Sequence, residues 1–256
     1  MGNRFQHRKI KCFLAFLLLL ETNFGVAESV TVAVSANFLT PLRSLRDSFE
    51  LIGQYQLVVV SGSTGQLHAQ IVNGAPFDIL LSADKNTPTL LVDSGFGEPG
   101  TQFTYARGQL VLWALGPESH RPQPLERLKN GDFRHLAIAN PRIAPYGVAA
   151  RQTLTALGIW ERFSERIVLG ENIGQTFSWV ETGNAELGLV ALSQALSYRH
   201  PSNYRIIPDD LYDPIRQDAI LLKRGKENLA AIAFYDYLRS ENAARIIKRY
   251  GYSRND

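Results

Sequence analysis

Residues 57–72 read LVVVSGSTGQLHAQIV and contain, in order, a strand, a loop and the start of a helix. The run Leu57–Val60 is apolar and β-branched, as in a strand that is buried on both faces. A helical repeat of apolar residues begins at Leu67 and ends before Gly74. The loop between them, residues 62–65, offers hydroxyl and backbone donors but no charged side chain. This unit predicts an α/β fold with the loop at the carboxyl end of its strand.

Similar units recur along the rest of the chain, because compact apolar runs alternate with helical patterns. Such alternation predicts mainly parallel sheets with helices packed on their faces. We predict nine strands, at Thr31–Val34, Leu57–Val60, Asp78–Leu81, Leu110–Leu115, Leu136–Ala139, Arg166–Leu169, Leu187–Ala191, Tyr204–Ile207 and Ala219–Leu222. We predict helices after Phe38, around residues 67–72 and 148–159, and between Glu227 and Tyr250.

Four loops lie between a predicted strand and a predicted helix, and none of them contains Lys, Arg, Asp or Glu. A helix N-terminus exposes unpaired N–H groups and about half a positive charge, so it binds anions without a charged side chain. Several such ends meeting at one point would bind a small dianion through neutral donors. The loops are SANF at 35–38, GSTG at 62–65, APYG at 144–147 and NIGQ at 172–175.

The first of these loops has one irregular feature. Asn37 is a good N-cap and offers a side-chain amide donor. Pro41 follows four residues later, where a helix capped by Asn37 would need an N–H group. We therefore expect either an irregular helix start, or a cap at Thr40 with Pro41 as the first helical residue.

The N-terminal 27 residues have the features of a secretory signal peptide. Four basic residues precede or flank the start of an apolar run at 12–20, and Gly25-Val26-Ala27 predicts cleavage after Ala27. The run is too short for a comfortable membrane span, and an N-terminal anchor is the alternative. Without this segment the chain keeps 23 basic and 23 acidic residues and loses Cys12, its one cysteine. The basic balance of the whole chain therefore gives no argument for nucleic-acid binding, and the mature chain has no thiol chemistry.

The sequence motifs give little support to a catalytic function. The sequence has no HExxH, GxSxG, GxGxxG or Walker pattern. A secreted hydrolase that uses Ser63 and His68, with Asp78, stays open as an alternative, although a histidine in such a place usually lies on a helix surface. We expect a binding protein and not an enzyme, with no cofactor and no directly bound metal.

Several segments resemble the periplasmic molybdate-binding proteins of ABC importers. They are SANFLTPL at 35–42, SGSTGQLHAQIVNGAPFDILLSAD at 61–84, FTYARGQLVLWA at 103–114, HLAIANPRIAPYGVAARQTL at 135–154, ENIGQTFSWVETGNAELGLVAL at 171–192 and the closing AARIIKRYGY. The resemblance covers about residues 30–252. It implies a two-lobed periplasmic binding protein (type II-like), each lobe a mainly parallel sheet flanked by helices, with the ligand cleft between the lobes. We expect one lobe from residues 28–107 plus 217–256 and the other from 108–216.

The resemblance also implies the ligand contacts and the partners. Carried over residue by residue, the contacts to molybdate fall on Asn37, Thr64, Tyr146 and Ile173, the last through its backbone N–H. Many members have Ser where this chain has Thr64, which keeps the hydroxyl. The implied function is capture of molybdate, and of tungstate, in the periplasm and delivery to an ABC permease by a monomeric protein that binds no nucleic acid.

The choice of anion follows partly from chemistry. Phosphate carries a proton near neutral pH and needs an acceptor, whereas the four loops hold no carboxylate, although Glu171 lies two residues from Ile173. Sulfate and molybdate are both fully deprotonated, so that only pocket size separates them. A receptor tuned to sulfate or another oxyanion therefore stays an alternative, and the preference for molybdate rests on the resemblance.

Overall fold

The computed structural model describes residues 28–53, 55–116, 123–200 and 202–253. The predicted signal peptide and its cleavage site lie outside the described residues. Among the helices that are described, none combines the length and the apolar character that crossing a membrane requires.

The first sheet has five strands in the order β2-β1-β3-β10-β4. Strand β1 pairs in parallel with β2 and β3, whereas β10 pairs antiparallel with β3 and β4. The bounds are Ser29–Ser35 for β1, Gln56–Gly62 for β2, Ile79–Leu81 for β3, Phe103–Gly108 for β4 and Ile215–Leu221 for β10.

The second sheet repeats this arrangement with the order β7-β6-β8-β5-β9. Strand β6 pairs in parallel with β7 and β8, and β5 pairs antiparallel with β8 and β9. The bounds are Leu110–Leu115 for β5, Leu136–Ala139 for β6, Ile167–Gly170 for β7, Leu187–Ala191 for β8 and Ser202–Ile206 for β9.

Helices pack on both faces of each sheet. Alternate residues of a strand point to opposite faces, and in β5 Leu110 and Leu112 belong to one buried cluster while Val111 and Trp113 belong to another. This burial on both sides explains the compact apolar strands of the sequence. The helices are α1 Leu39–Glu50, α2 Thr64–Val72, α3 Asn86–Asp93, α4 Pro124–Asn130, α5 Pro145–Ala156, α6 Ile173–Glu181, α7 Leu192–Ser197, α8 Leu229–Tyr237 and α9 Glu241–Arg249.

The predicted two-sheet α/β architecture is confirmed, but each sheet is mixed, with two parallel and two antiparallel pairings. The chain leaves the first sheet after Gly108, builds the second sheet, and returns to the first as β10. The returning strand runs against its neighbours. The boundaries of the lobes at 107/108 and 216/217 stay a prediction.

The irregular helix start was the correct alternative at the first loop. Residues Ala36–Phe38 form a 3₁₀ turn that leads directly into α1. Pro41 is the third residue of α1, where a helix needs no N–H donor in any case. A cap at Thr40 is wrong, because Thr40 lies inside the helix.

Candidate oxyanion-binding site

The four uncharged loops meet around one small cavity, which we call the inner cavity. Its volume is about 10 Å³, roughly the room that one buried water needs. Both sheets contribute, because each loop follows a strand of one sheet and opens a helix. The lining residues are Ser35, Ala36, Asn37, Gly62, Ser63, Thr64, Ala83, Ala144, Pro145, Tyr146 and Ile173. The structure therefore brings together all four predicted contact residues.

Two hydroxyl groups from the first sheet line the inner cavity. Ser35 Oγ and Thr64 Oγ1 lie 2.7 Å apart, and both side chains are buried. The Ala83 N–H points at both oxygens, at 3.1 and 3.2 Å. One hydroxyl proton is used between Ser35 and Thr64, and the other is left for a ligand.

Helix starts supply backbone donors to the same cavity. Ser63 caps α2 in a capping box with Gln66, and the Asn172 side chain accepts from Gly174 N and Gln175 N at the start of α6. These caps leave the first N–H of each helix, on Thr64 and Ile173, with no recorded acceptor among the described residues. An anion in the inner cavity would satisfy both groups.

Tyr146 brings a phenol from the second sheet's side. The side chain is almost fully buried, with 2% of its surface exposed. Burial raises the pKa of the Tyr146 phenol well above 10.0, and the neighbouring Tyr252 adds to the effect. Tyr146 is therefore a neutral hydrogen-bond donor throughout the physiological pH range.

Asn37 is placed at the cavity, but its amide does not point where the sequence suggested. Asn37 Nδ2 donates to Gln217 Oε1 at 2.9 Å and to the Tyr252 hydroxyl at 3.0 Å. Both amide hydrogens are thus used on the protein side. The group that Asn37 can offer to a ligand is its backbone N–H, which has no recorded acceptor among the described residues.

A wider space, the outer groove, adjoins the inner cavity and has a volume of about 670 Å³. The two spaces share Thr64, Ala83, Ala144 and Pro145. Between the loops that flank them, the Gly65 N–H donates to the Ile143 carbonyl at 2.9 Å. The outer groove also has charged walls, formed by Asp84, Lys85, Arg142, Asp213 and Arg216.

The hydrolase alternative finds no catalytic arrangement in the described part of the chain. The Ser63 hydroxyl donates to Gln66 Oε1 at 2.9 Å, and the Asp78 carboxylate is bonded to the Thr31 N–H and to Arg224. Within the described ranges, His68 makes no hydrogen bond with Ser63 or Asp78. No group of three or more His, Cys, Asp or Glu side chains that could hold a metal ion occurs among the described residues.

Sequence reasoning missed the residues behind the inner cavity. Gln217 and Tyr252 contact Asn37 across 180 and 215 positions of the chain. Neither lies in a recognisable motif for anion binding, and only the closing RYGY segment, which contains Tyr252, carried any signal of its own. The contacts of Gln217 and Tyr252 with Asn37 depend on long-range packing of the chain.

Comparison with known proteins places this architecture in a family. Residues 30–253 match the family described as bacterial extracellular solute-binding protein. The chain belongs to this family. The match spans both sheets and all four loops of the inner cavity.

Within the extracellular solute-binding proteins, two relatives are similar over most of their length. The molybdate-binding protein ModA of Azotobacter vinelandii is 45% identical over 88% of this chain and 90% of its own, and that of Rhodobacter capsulatus is 41% identical over 89% of each. The solved structure of the periplasmic molybdate-binding protein of Azotobacter vinelandii superposes with a TM-score of 0.84, at 38% identity, covering 89% of this chain and all of the other. The sulfate-binding protein SubI of Mycobacterium tuberculosis shares the fold alone, with a TM-score of 0.74 at 12% identity over 88% of this chain.

Proposed function

We propose that this protein captures molybdate, and tungstate with it, and delivers the oxyanion to the permease of an ABC importer. The observation that carries the proposal is the convergence of four uncharged loops on the inner cavity. The names of the similar proteins, which are molybdate-binding, supply the anion.

The proposed contacts are Asn37, Thr64, Tyr146 and Ile173. Thr64 and Tyr146 offer hydroxyl donors, while Asn37 and Ile173 offer backbone N–H groups. Neutral donors suit a buried dianion whose charge is spread over four oxygens, because each oxygen accepts more than one hydrogen bond. Without such bonds the buried charge would be very unfavourable.

The inner cavity disfavours phosphate. A monoprotonated phosphate needs an acceptor for its hydrogen, and no carboxylate is among the lining residues. Glu171, the acid nearest to the Ile173 loop in sequence, is not part of the lining either. Molybdate, tungstate and sulfate carry no such hydrogen, and the longer metal–oxygen bonds of the first two separate them from sulfate by size.

Binding requires the loops to part and close again. The inner cavity, at about 10 Å³, has room for about one water, and a tetrahedral oxyanion is larger than a water, so the anion needs an opening to enter. We propose that the lobes, residues 28–107 plus 217–256 and residues 108–216, move about the segments that cross between the sheets. Closure would then form the Gly65–Ile143 bond and present the closed protein, as a monomer, to the permease.

The proposed location is the periplasm, reached by export and cleavage after Ala27. The test starts from the protein exported with its own leader, because the mass of the purified product reports the cleavage site directly. Isothermal titration with molybdate, tungstate, sulfate and phosphate then tests the function. We expect one-to-one binding of molybdate and tungstate only. Tight binding of sulfate would make sulfate the proposed ligand. If none of the four anions binds, the transport proposal is wrong.

A further inference from the structure

A buried cluster of polar side chains lies behind the inner cavity and joins the two sheets. Each member is at most 4% exposed. Some members belong to the first sheet and the C-terminal segment, and others to helices α5 and α7 beside the second sheet. The buried cluster consists of Asn37, Tyr105, Tyr146, Ser193, Gln217 and Tyr252.

Like Tyr252, Gln217 contacts proposed ligand residues on both sides of the cluster. Its Oε1 accepts from Asn37 Nδ2 at 2.9 Å and from the Tyr105 hydroxyl at 3.1 Å. Its Nε2 donates to the Tyr146 hydroxyl oxygen at 3.4 Å. A single amide therefore links Asn37, at the start of α1, to Tyr146, at the start of α5.

The link to Gln217 limits the hydrogen bonds that the Tyr146 hydroxyl can form. The Tyr252 and Ser193 hydroxyls can both donate to the Asn37 carbonyl, each at 2.9 Å. The Tyr146 oxygen accepts from Gln217, and the Tyr146 hydroxyl also forms a hydrogen bond with the Tyr252 hydroxyl, whose oxygen accepts from Asn37 as well. Because the Tyr146 oxygen accepts from Gln217, the one Tyr146 proton goes either to the Tyr252 oxygen or to a bound anion, and the anion is the stronger acceptor.

Two local features serve this placement of Gln217. In the pairing of β10 with β4, Gln217 lies opposite Ala106 and Asp218 opposite Thr104, so Tyr105 has no register partner. Such a bulge re-aims side chains locally. A side chain at Gly108 would place its Cβ 2.1 Å from the Tyr146 hydroxyl and 2.6 Å from Gln217 Nε2. The contact between Gln217 and Tyr146 therefore requires glycine at position 108.

We propose that Gln217 is a positioning residue for the oxyanion: it holds Asn37 on one side and Tyr146 on the other, so that the Tyr146 proton points at the bound anion. Gln217 itself does not touch the anion, since it is absent from the lining of the inner cavity. The proposal rests on the proposed function, because it assumes that Tyr146 donates to an oxyanion.

The first test compares Gln217→Leu and Gln217→Glu in the exported protein, with molybdate as the probe. Leucine removes the amide at similar volume, and we expect molybdate binding to weaken about tenfold or more, as for loss of a hydrogen bond that supports a charged ligand. Gln102→Leu is the matched control, because it makes the same substitution at a glutamine whose amide donates to the Lys85 carbonyl and to Asp218, outside the buried cluster. We expect it to change the Kd less than about threefold.

The second test is the pH profile of Gln217→Glu, which a merely structural role would not change. A protonated glutamic acid can donate to Tyr146 and accept from Asn37 as the amide does, whereas a carboxylate would draw the Tyr146 proton away and repel the anion. We expect near-normal affinity at about pH 5.5 and weakening of about tenfold or more by pH 8, against a flat profile for the unmodified protein. The titratable groups that face the cluster are those of Tyr105, Tyr146, Tyr212, Tyr252, Asp84 and Asp218.

The outcomes separate this inference from the proposed function. If the unmodified protein does not bind molybdate, the proposed function fails. If it binds and both Gln217 variants bind equally well at every pH, only the role of Gln217 is overturned. A Gln217→Leu chain that does not fold leaves the decision to the pH profile of Gln217→Glu, whose recovery at low pH supports positioning and whose flat profile contradicts it.

Discussion

Four residues line both the inner cavity and the outer groove, yet the two spaces differ in size and charge. The groove is far larger, about 670 Å³ against about 10 Å³, and its walls carry three cationic and two acidic side chains. The inner cavity has no ionised side chain in its lining. The larger and more charged space is nevertheless the less suitable one for a small dianion.

The difference follows from where water is excluded. Charges on an exposed wall are screened and act weakly over distance. A buried hydroxyl or N–H has few other partners, so its hydrogen bond to an anion counts more. A selective anion site is therefore marked by neutral donors that no protein group uses. We expect changes to these donors to weaken binding most, and changes to the charges of the groove to weaken it least.

Removing donors from the inner cavity should have the largest effect. For Asn37→Ala combined with Thr64→Ala we expect molybdate binding to weaken about 100-fold or more, because the hydroxyl is lost and the loop loses the bonds that hold its N–H in place. Isothermal titration measures the change. Asn73→Ala with Thr182→Ala, at two exposed positions of the same residue types, is the control and should leave the Kd unchanged. If Asn37→Ala with Thr64→Ala binds molybdate as tightly as the unmodified protein, the proposed binding site is wrong.

Adding a methyl group at the contact between the loops should have the next largest effect. In Gly65→Ala the new Cβ would lie 3.1 Å from the Ile143 backbone and so oppose closure. We expect affinity to fall about tenfold, mainly through faster release.

Stopped-flow measurement of the dissociation rate checks the Gly65 prediction. The control is Gly53→Ala, whose methyl would meet the ring of Tyr55 away from the cleft. A release rate equal to that of the unmodified protein would show that the two loops need not approach this closely.

The pH dependence of binding should be flat over a wide range. Burial raises the pKa of Tyr146, so the phenol stays protonated until the pH rises above its ordinary range, where it would lose its proton and repel the anion. We expect a constant Kd for molybdate between about pH 6 and 9. Titrations across this range check the prediction, and a step near pH 6 to 7 would point to a histidine or carboxylate at the site.

Removing charge from the outer groove should have the smallest effect. Arg142 is exposed, so that Arg142→Gln should change the Kd of molybdate less than about twofold and alter chiefly the association rate at low salt. Association rates at two salt concentrations measure this, with Arg245→Gln on α9 as the control. A tenfold loss of affinity in Arg142→Gln would show that a charge of the outer groove determines affinity as well as the donors of the inner cavity.

Local pattern predicted much of the fold. Strands β5, β6 and β8 have the predicted bounds, because each is a short apolar run buried on both faces. The strand Phe103–Gly108 was missed, since polar residues interrupt its apolar ones and Thr104 bonds to Asp218. The antiparallel return of β10 also has no local signature, because it depends on where the second sheet is inserted.

The same division applies to the site. The helix starts at Thr64, Pro145 and Ile173 were predictable, since a strand, a loop and a helix follow one another in the sequence. The direction of the Asn37 amide was not, because its partners, Gln217 and Tyr252, come from the far end of the chain. The sequence thus predicted which loops surround the cavity and not what stands behind them.

The position of Tyr252 has a consequence for biosynthesis. Its hydroxyl donates to the Asn37 carbonyl and accepts from the Asn37 amide, although the chain has 256 residues and Asn37 is made near the beginning. A nascent or truncated chain that ends at Gly251 therefore lacks part of the support for its first loop. Support for the first loop depends on the segment that follows α9, and we expect the loss of Tyr252 to weaken a site that lies 215 positions away in the sequence.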